Sequence, residues 1–248
     1  MLVISFSGGR SSAMMAKRLL DSEVDDYEII FCNTGKEMPQ TLDFVNDCSN
    51  QWDVPITWLE YRSLREYQVV DYSTASRAGE PFYQLITDKN YLPNMVARFC
   101  TSELKVVTID RYLKSKGVED YSTAVGIRAD EPRRVAKMRK KDGYITPLAD
   151  AKVTTADVIE FWRDQSFDLN LPASGFYSNC DLCFLKGYGI KQSLVREQPS
   201  LAEWWDEQEK RIDARFRSDQ PSYESMIIAS TNQDDLFGFE STPCFCGD

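Results

Sequence analysis

Residues 2–12 read Leu2-Val3-Ile4-Ser5-Phe6-Ser7-Gly8-Gly9-Arg10-Ser11-Ser12. A short apolar run passes directly into a Ser-Gly-Gly turn. Helical spacing begins at once after it, with Met14, Met15, Leu19 and Leu20 able to share one face. Strand, glycine turn and helix form the opening unit of a parallel α/β sheet. The alternation continues outward. Residues 27–32 (YEIIFC), 56–61 and 122–127 have strand composition, and residues 39–48 and 103–113 have helical spacing. This predicts a mostly parallel sheet with helices on both faces, and a ligand at the carboxyl ends of its strands. The connection from residue 62 to residue 100 carries only weak helical signals and is expected to flank that site.

The pattern changes after about Pro147. Residues 155–162 and 201–216 look helical, and a Gly/Pro/Asn/Cys-rich stretch over 171–189 separates them. The expected organisation is an α/β nucleotide-binding domain over residues 1–150. A C-terminal helical region over 151–248 carries a CxxC and a cysteine-containing tail. Trp204 and Trp205 are expected to pack their helix, and Cys32 and Cys48 to be small core residues.

The opening turn has the parts of an anion site. Gly8 and Gly9 let the backbone approach a ligand closely, and Ser7, Ser11 and Ser12 offer hydroxyls. The helix start adds free N–H groups and a positive dipole end. The turn suits a phosphate or pyrophosphate. It lacks the Gly-Lys-Ser/Thr ending of a Walker A loop and is not GxGxxG. The plainer alternative is a Gly-Gly turn with a serine helix cap.

Composition narrows the chemistry. The 248 residues are 42% hydrophobic and 27% charged, which supports a packed core. Against 29 basic residues stand 39 acidic ones, a formal charge of −10. Such a surface repels nucleic acid and anionic membrane on average, so an anion site needs a local gathering of positive groups. There is no histidine. Ser-His-Asp triads, Cys-His dyads and His-ligated zinc are thereby excluded. No apolar run approaches the ~18 residues of a membrane span, and no secretory stretch follows the start, so a cytosolic protein is expected. Seven cysteines in a reducing compartment read as ligands or reactive thiols.

Four segments in matching order carry a family resemblance across roughly residues 1–140. SFSGGRSS resembles the PP-loop of the N-type ATP pyrophosphatases and of the phosphoadenosine phosphosulfate (PAPS) reductase family. FCNTGKEMPQTLDFV is similar to the family's second strand and following helix, and RFCTSELKVVTIDRYL and GIRADEPRR to its later signatures. The resemblance implies an adenine-nucleotide α-hydrolase-like fold with an adenine nucleotide as substrate. Many ATP-hydrolysing PP-loops carry an Asp that helps to hold magnesium where this chain has Ser11. The resemblance therefore leans to sulfonucleotides, with magnesium relevant only if ATP is used.

Positive groups inside these motifs are the expected anion partners: Arg10, Arg98, Lys105, Arg128, Arg133 and Arg134. Arg128 follows a strand and Gly126, where ligands bind. Lys137, Lys140 and Lys141 read as a solvated helix face. Asn33, Thr34 and Gly35 end the second strand and are placed to meet the adenosine, or else form a simple strand-to-helix turn.

Cys180-Asp181-Leu182-Cys183 offers two thiols for a metal centre or a redox dithiol, 80 residues beyond Cys100. Reductases of the family that hold a [4Fe–4S] cluster have paired cysteines at the position of Phe99-Cys100 and a later CxxC. By that resemblance Cys100, Cys180 and Cys183 are cluster ligands, Cys244 or Cys246 is the fourth, and Cys₄ zinc is the alternative. The family's nucleophilic cysteine lies in a Glu-Cys-Gly-x-His tail. Cys246-Gly247 is similar but lacks the Glu and the His. The resemblance then implies attack by Cys246 on a sulfonucleotide, sulfite release by a second thiol, and a thioredoxin-like donor. Two other functions stay open: an ATP-dependent sulfurtransferase acting on tRNA or DNA, and a non-catalytic nucleotide binder.

Overall fold

The structure, a computed structural model, describes residues 1–171 and 180–232. In chain order the first elements are β1 (Leu2–Ser5), α1 (Arg10–Asp21), β2 (Tyr27–Asn33), α2 (Pro39–Trp52) and β3 (Ile56–Arg62). A 3₁₀ turn (Ser63–Arg65), β4 (Glu66–Val70) and α3 (Glu80–Lys89) follow. Next come α4 (Phe99–Thr101), a π-helical turn (Ser102–Val107) and α5 (Thr108–Ser115), then β5 (Ser122–Val125), α6 (Pro132–Met138) and β6 (Tyr144–Ile145). The chain continues with α7 (Pro147–Asp150), α8 (Thr155–Arg163), α9 (Tyr188–Glu197), α10 (Ser200–Ile212) and α11 (Tyr223–Asn232).

Among the described residues, six strands form one sheet in the order β4-β3-β2-β1-β5-β6. Every pairing is parallel except β3 with β4. Strand order reverses at β1, because β2 and β3 lie on one side and β5 on the other. A crevice opens at such a reversal, beyond the carboxyl ends of the strands.

Side-chain alternation sorts the apolar residues onto two faces. Ile4, Ile29 and Phe31 pack with Met14, Phe44 and Trp162 from α1, α2 and α8. Val3, Ile30 and Leu59 face the other way, onto Ile109, Tyr112 and Leu113 of α5. A further core joins Phe82, Leu85 and Leu104 to Leu182, Leu194, Trp205 and Phe216. The cores built on the first face and around Trp205 both draw residues from each side of position 150.

Several elements differ from the sequence reading. The connection 62–100 holds β4, paired antiparallel to β3, and the ten-residue α3. The helix α9 begins inside the Gly/Cys-rich stretch. The helix expected over 201–216 stops at Ile212, where Asp213 is left-handed (φ 52°), and Phe216 enters the core separately. Cys32 and Cys48 are buried, as expected. Among the described residues no helix is long and apolar enough to cross a membrane.

Candidate active site

The Ser-Gly-Gly turn is closed by its own side chains. The Ser12 hydroxyl donates to the Gly9 carbonyl (2.9 Å), accepts the Ser7 amide (3.1 Å) and lies 2.9 Å from the Ser7 hydroxyl. Gly8 has φ +79°, and a Cβ there would stand 2.5 Å from the Thr41 methyl. Gly126 serves packing: a Cβ on it would come within 2.7 Å of the Ser12 Cα. The end of β5 can thus sit directly against the start of α1.

Arginines frame the turn with different partners. Arg10 turns away from it and forms a two-pronged bridge to Asp168 (2.6 and 2.7 Å), while its carbonyl accepts the Trp162 indole N–H (2.9 Å). Its guanidinium therefore ties the turn to the segment after α8. Arg128 donates to the Ser11 hydroxyl (2.9 Å) and pairs with Asp130 (3.1 Å). Arg134 pairs with Glu131, and Arg133 is exposed outside the cavity.

A cavity of about 340 Å³ lies beyond β1 and β5, at the strand-order reversal. Ser7 lines it, with Arg98 and Lys105 on one wall and Arg134 on the other. Lys137 and Lys141 line it too. Both stay exposed at its rim, as the solvated-face reading has them. Val135 and Met138 bury one side of α6 against Val125 and Ile127. The other turn residues, Gly8, Gly9, Ser11 and Ser12, stand beside the cavity rather than in its lining.

The second-strand turn is committed elsewhere. Asn33 is fully buried; its amide donates to Glu60 (2.6 Å) and to the Ser76 carbonyl (2.8 Å), and its oxygen accepts the Gly35 amide (3.0 Å). Its side chain shapes the turn, in line with the strand-to-helix alternative. Gly35 has φ +76° and closely faces Gly79. The Thr34 hydroxyl donates to Glu37 (2.9 Å) and lies 3.6 Å from the Cys180 sulfur.

That turn receives the CxxC loop. Glu37 and Cys180 form an isolated antiparallel bridge, and the Asp181 amide donates to the Lys36 carbonyl (2.8 Å). Lys36 and Asp181 form an ion pair at 2.8 Å with side chains only 9% and 6% exposed. Asp181 also accepts the Trp205 indole (2.8 Å) and the Leu182 amide (2.6 Å). The Tyr223 hydroxyl donates to the Leu182 carbonyl (2.6 Å). Lys36, Glu37 and Asp181 escaped sequence reasoning. Their only signals were two charged residues directly after a strand-end Thr-Gly and an acid between two cysteines.

Cys100, Cys180 and Cys183 belong to one apolar cluster. Burial, then the neighbouring Cys183, push the Cys100 thiol up to about 11, against the pull of Arg98 and Lys105. Cys180 is held well above the usual thiol range by burial, then by Glu37 and Cys183, while Lys105 opposes. Burial also lifts Glu37, again against Lys105. Lys105 lines the cavity, and its charge opposes the rise at Cys100, Cys180 and Glu37. Among the described residues no three cysteine or carboxylate side chains lie close enough to hold a metal ion by themselves. Cys244 and Cys246 lie outside the described residues.

Comparison with known proteins bears on this arrangement. The phosphoadenosine phosphosulfate reductase domain model matches residues 1–170. The nin region protein ORF290 of Escherichia phage lambda is 34% identical over 202 residues, covering 74% of this chain and 66% of that protein. A protein of Methanocaldococcus jannaschii, MJ0066, is 23% identical over 213 residues, covering 83% of this chain and 40% of its own length. The chain thus spans slightly under two thirds of the phage relative and less of the archaeal one. A PAPS reductase from Candida auris, solved as a phosphate complex, aligns with TM-score 0.43 and 18% identity over 66% of this chain and 71% of that one. With its reductase-domain match over more than half its length, this α/β chain belongs to the phosphoadenosine phosphosulfate reductase domain family.

Proposed function

We propose that this chain is a sulfonucleotide reductase that releases sulfite from adenylyl sulfate or PAPS in the cytosol. The observation that carries this reading is the cationic cavity at the strand-order reversal, lined by Ser7, Arg98, Lys105 and Arg134. In an acidic protein, that cavity is a local concentration of positive charge. Residues 1–150 supply the nucleotide site and residues 151–248 the CxxC and the tail.

The N-terminus of α1, with Ser7 and Ser11, faces the phosphate, and Arg98, Lys105, Arg128 and Arg134 neutralise the phosphosulfate. Arg10 and Asn33 shape the turns rather than meeting the ligand. A thiolate, Cys246 in this reading, attacks the sulfur. The S–S bond forms as the bond from sulfur to the phosphate oxygen breaks, and the adenosine phosphate leaves with the electron pair. Attack of a second thiol on the Cys246 sulfur then expels sulfite and leaves a disulfide, which a thioredoxin-like dithiol reduces. Cys100, Cys180, Cys183 and Cys244 would hold a [4Fe–4S] cluster, with Cys₄ zinc as its alternative. When bound, the cluster would supply a sulfur-ligated iron centre beside the cavity.

The test is anaerobic incubation of the protein with each sulfonucleotide and a dithiol donor. Sulfite release is expected, with Cys246→Ser abolishing it while the visible absorbance and iron content persist. Metal-loaded protein that releases no sulfite overturns the reading. So does pyrophosphate release from ATP that depends on an RNA or DNA acceptor.

A further inference from the structure

The segment that carries Lys105 departs from regular helix. Ser102–Val107 is a π-helical turn between α4 and α5. Such turns widen the helix and free carbonyls from its ladder, and they recur at functional sites. Two of the carbonyls here have outside donors. The Thr108 hydroxyl donates to the Glu103 carbonyl (2.8 Å), and the Cys32 thiol lies 3.8 Å from the Lys105 carbonyl.

Glu103 sits in the same turn and is 7% exposed. Its Oε1 accepts from Lys89 (2.8 Å) and Arg65 (3.3 Å), and its Oε2 is buried with no hydrogen-bond partner among the described residues. Both cations are delivered deliberately by the fold. Lys89 is the last residue of α3. Arg65 lies in a turn where Leu64 and Arg65 both have left-handed backbones (φ 62° and 63°), which non-glycine residues rarely adopt. Leu64 is 84% exposed, so its own burial does not offset that strain. The turn is pinned to α3 through the Leu64 amide and Asp88 (2.9 Å). Strained turn, helix end and π-turn converge on one buried carboxylate.

We infer that Glu103 is a positioning residue. Clamped between Arg65 and Lys89, it locks the π-turn so that Lys105 stands in the lining of the anion cavity. The inference rests on the proposed reading of the cavity as an anion site. Glu103 itself does not line the cavity; it acts through Lys105.

A double-mutant cycle tests it, with adenosine 5′-phosphate and inorganic sulfate as calorimetric probes. Lys105→Met and Glu103→Gln should each weaken binding about tenfold, and the double variant should be no weaker than Lys105→Met alone. Thr108→Val, which frees the same carbonyl without touching charge, should lose part of the affinity. Native-state hydrogen exchange supplies a readout that needs no ligand: amides of residues 102–107 should exchange faster in Glu103→Gln and Thr108→Val. Losses that add in the double variant overturn the inference. So do a lower melting temperature with unchanged affinity, or unchanged exchange. If the unmodified protein binds neither probe, the cavity reading fails, and the exchange pattern alone decides whether Glu103 locks the turn.

Discussion

The Ser7–Ser12 turn follows β1 and the Cys180–Cys183 loop docks on the turn after the neighbouring β2, and the two are built in opposite ways. The serine turn is closed by neighbours in sequence: Ser7, Gly9 and Ser12 bond one another within five residues. The cysteine loop is closed by distant partners. Asp181 is held by Lys36 and by Trp205, and Leu182 by Tyr223. A local closure needs little chain to be ordered first, whereas the cysteine loop takes its shape only when the second-strand turn, α10 and α11 have all docked. The consequence is that the anion turn should tolerate damage to α10 and α11, while the cysteine loop should not.

The largest effect is expected at the buried ion pair. Lys36→Met leaves Asp181 as an uncompensated buried charge and should cost about 3 kcal/mol in urea unfolding. Adding Asp181→Asn to it should recover part of that loss. A double variant as unstable as the sum of its single changes would show that the pair is not the clamp. A smaller effect is expected at Gly126→Ala. The new Cβ meets backbone at Ser12 and cannot be relieved by a side-chain rotation, so about 1–3 kcal/mol should be lost. Affinity for adenosine 5′-phosphate should fall with it, while alkylation of Cys180 and Cys183 in the folded protein stays unchanged. The smallest effect is expected at Arg10→Ala. The bridge to Asp168 is partly exposed, 42% and 31%, so its loss should cost less than about 1 kcal/mol and leave nucleotide affinity nearly intact. A loss of affinity as large as that of Lys105→Met would place Arg10 on the ligand after all.

How much of this was legible beforehand depended on the range of the interaction. The strands Leu2–Ser5, Tyr27–Asn33 and Ile56–Arg62 were legible because their composition and flanking turns are local signals. The strand Glu66–Val70 was not. Its polar sequence EYQVV becomes a strand by pairing antiparallel to β3, and four of its five residues are not buried. On the seven-residue helix α6 no periodicity separates the buried face from the exposed one, and only the packing of Val135 and Met138 decides it. At Asn33 a polar residue at a strand end suggested ligand contact or a simple turn, and its amide is used inside the protein.

By itself the sequence determined the layered α/β class, the glycine turn after the first strand, the absence of histidine chemistry and the family. Those are properties of local patterning and composition, which hold wherever the chain goes. Tertiary structure alone decided which cations enter the cavity, that Arg10 is a tether, and that Lys36 and Asp181 clamp the CxxC loop to the second-strand turn. It also alone decided that Lys105 enters the cavity lining on a π-turn. Each of these depends on groups tens of residues apart being desolvated together, and the energy of a charge or a thiol is set by that shared burial rather than by its neighbours in the chain.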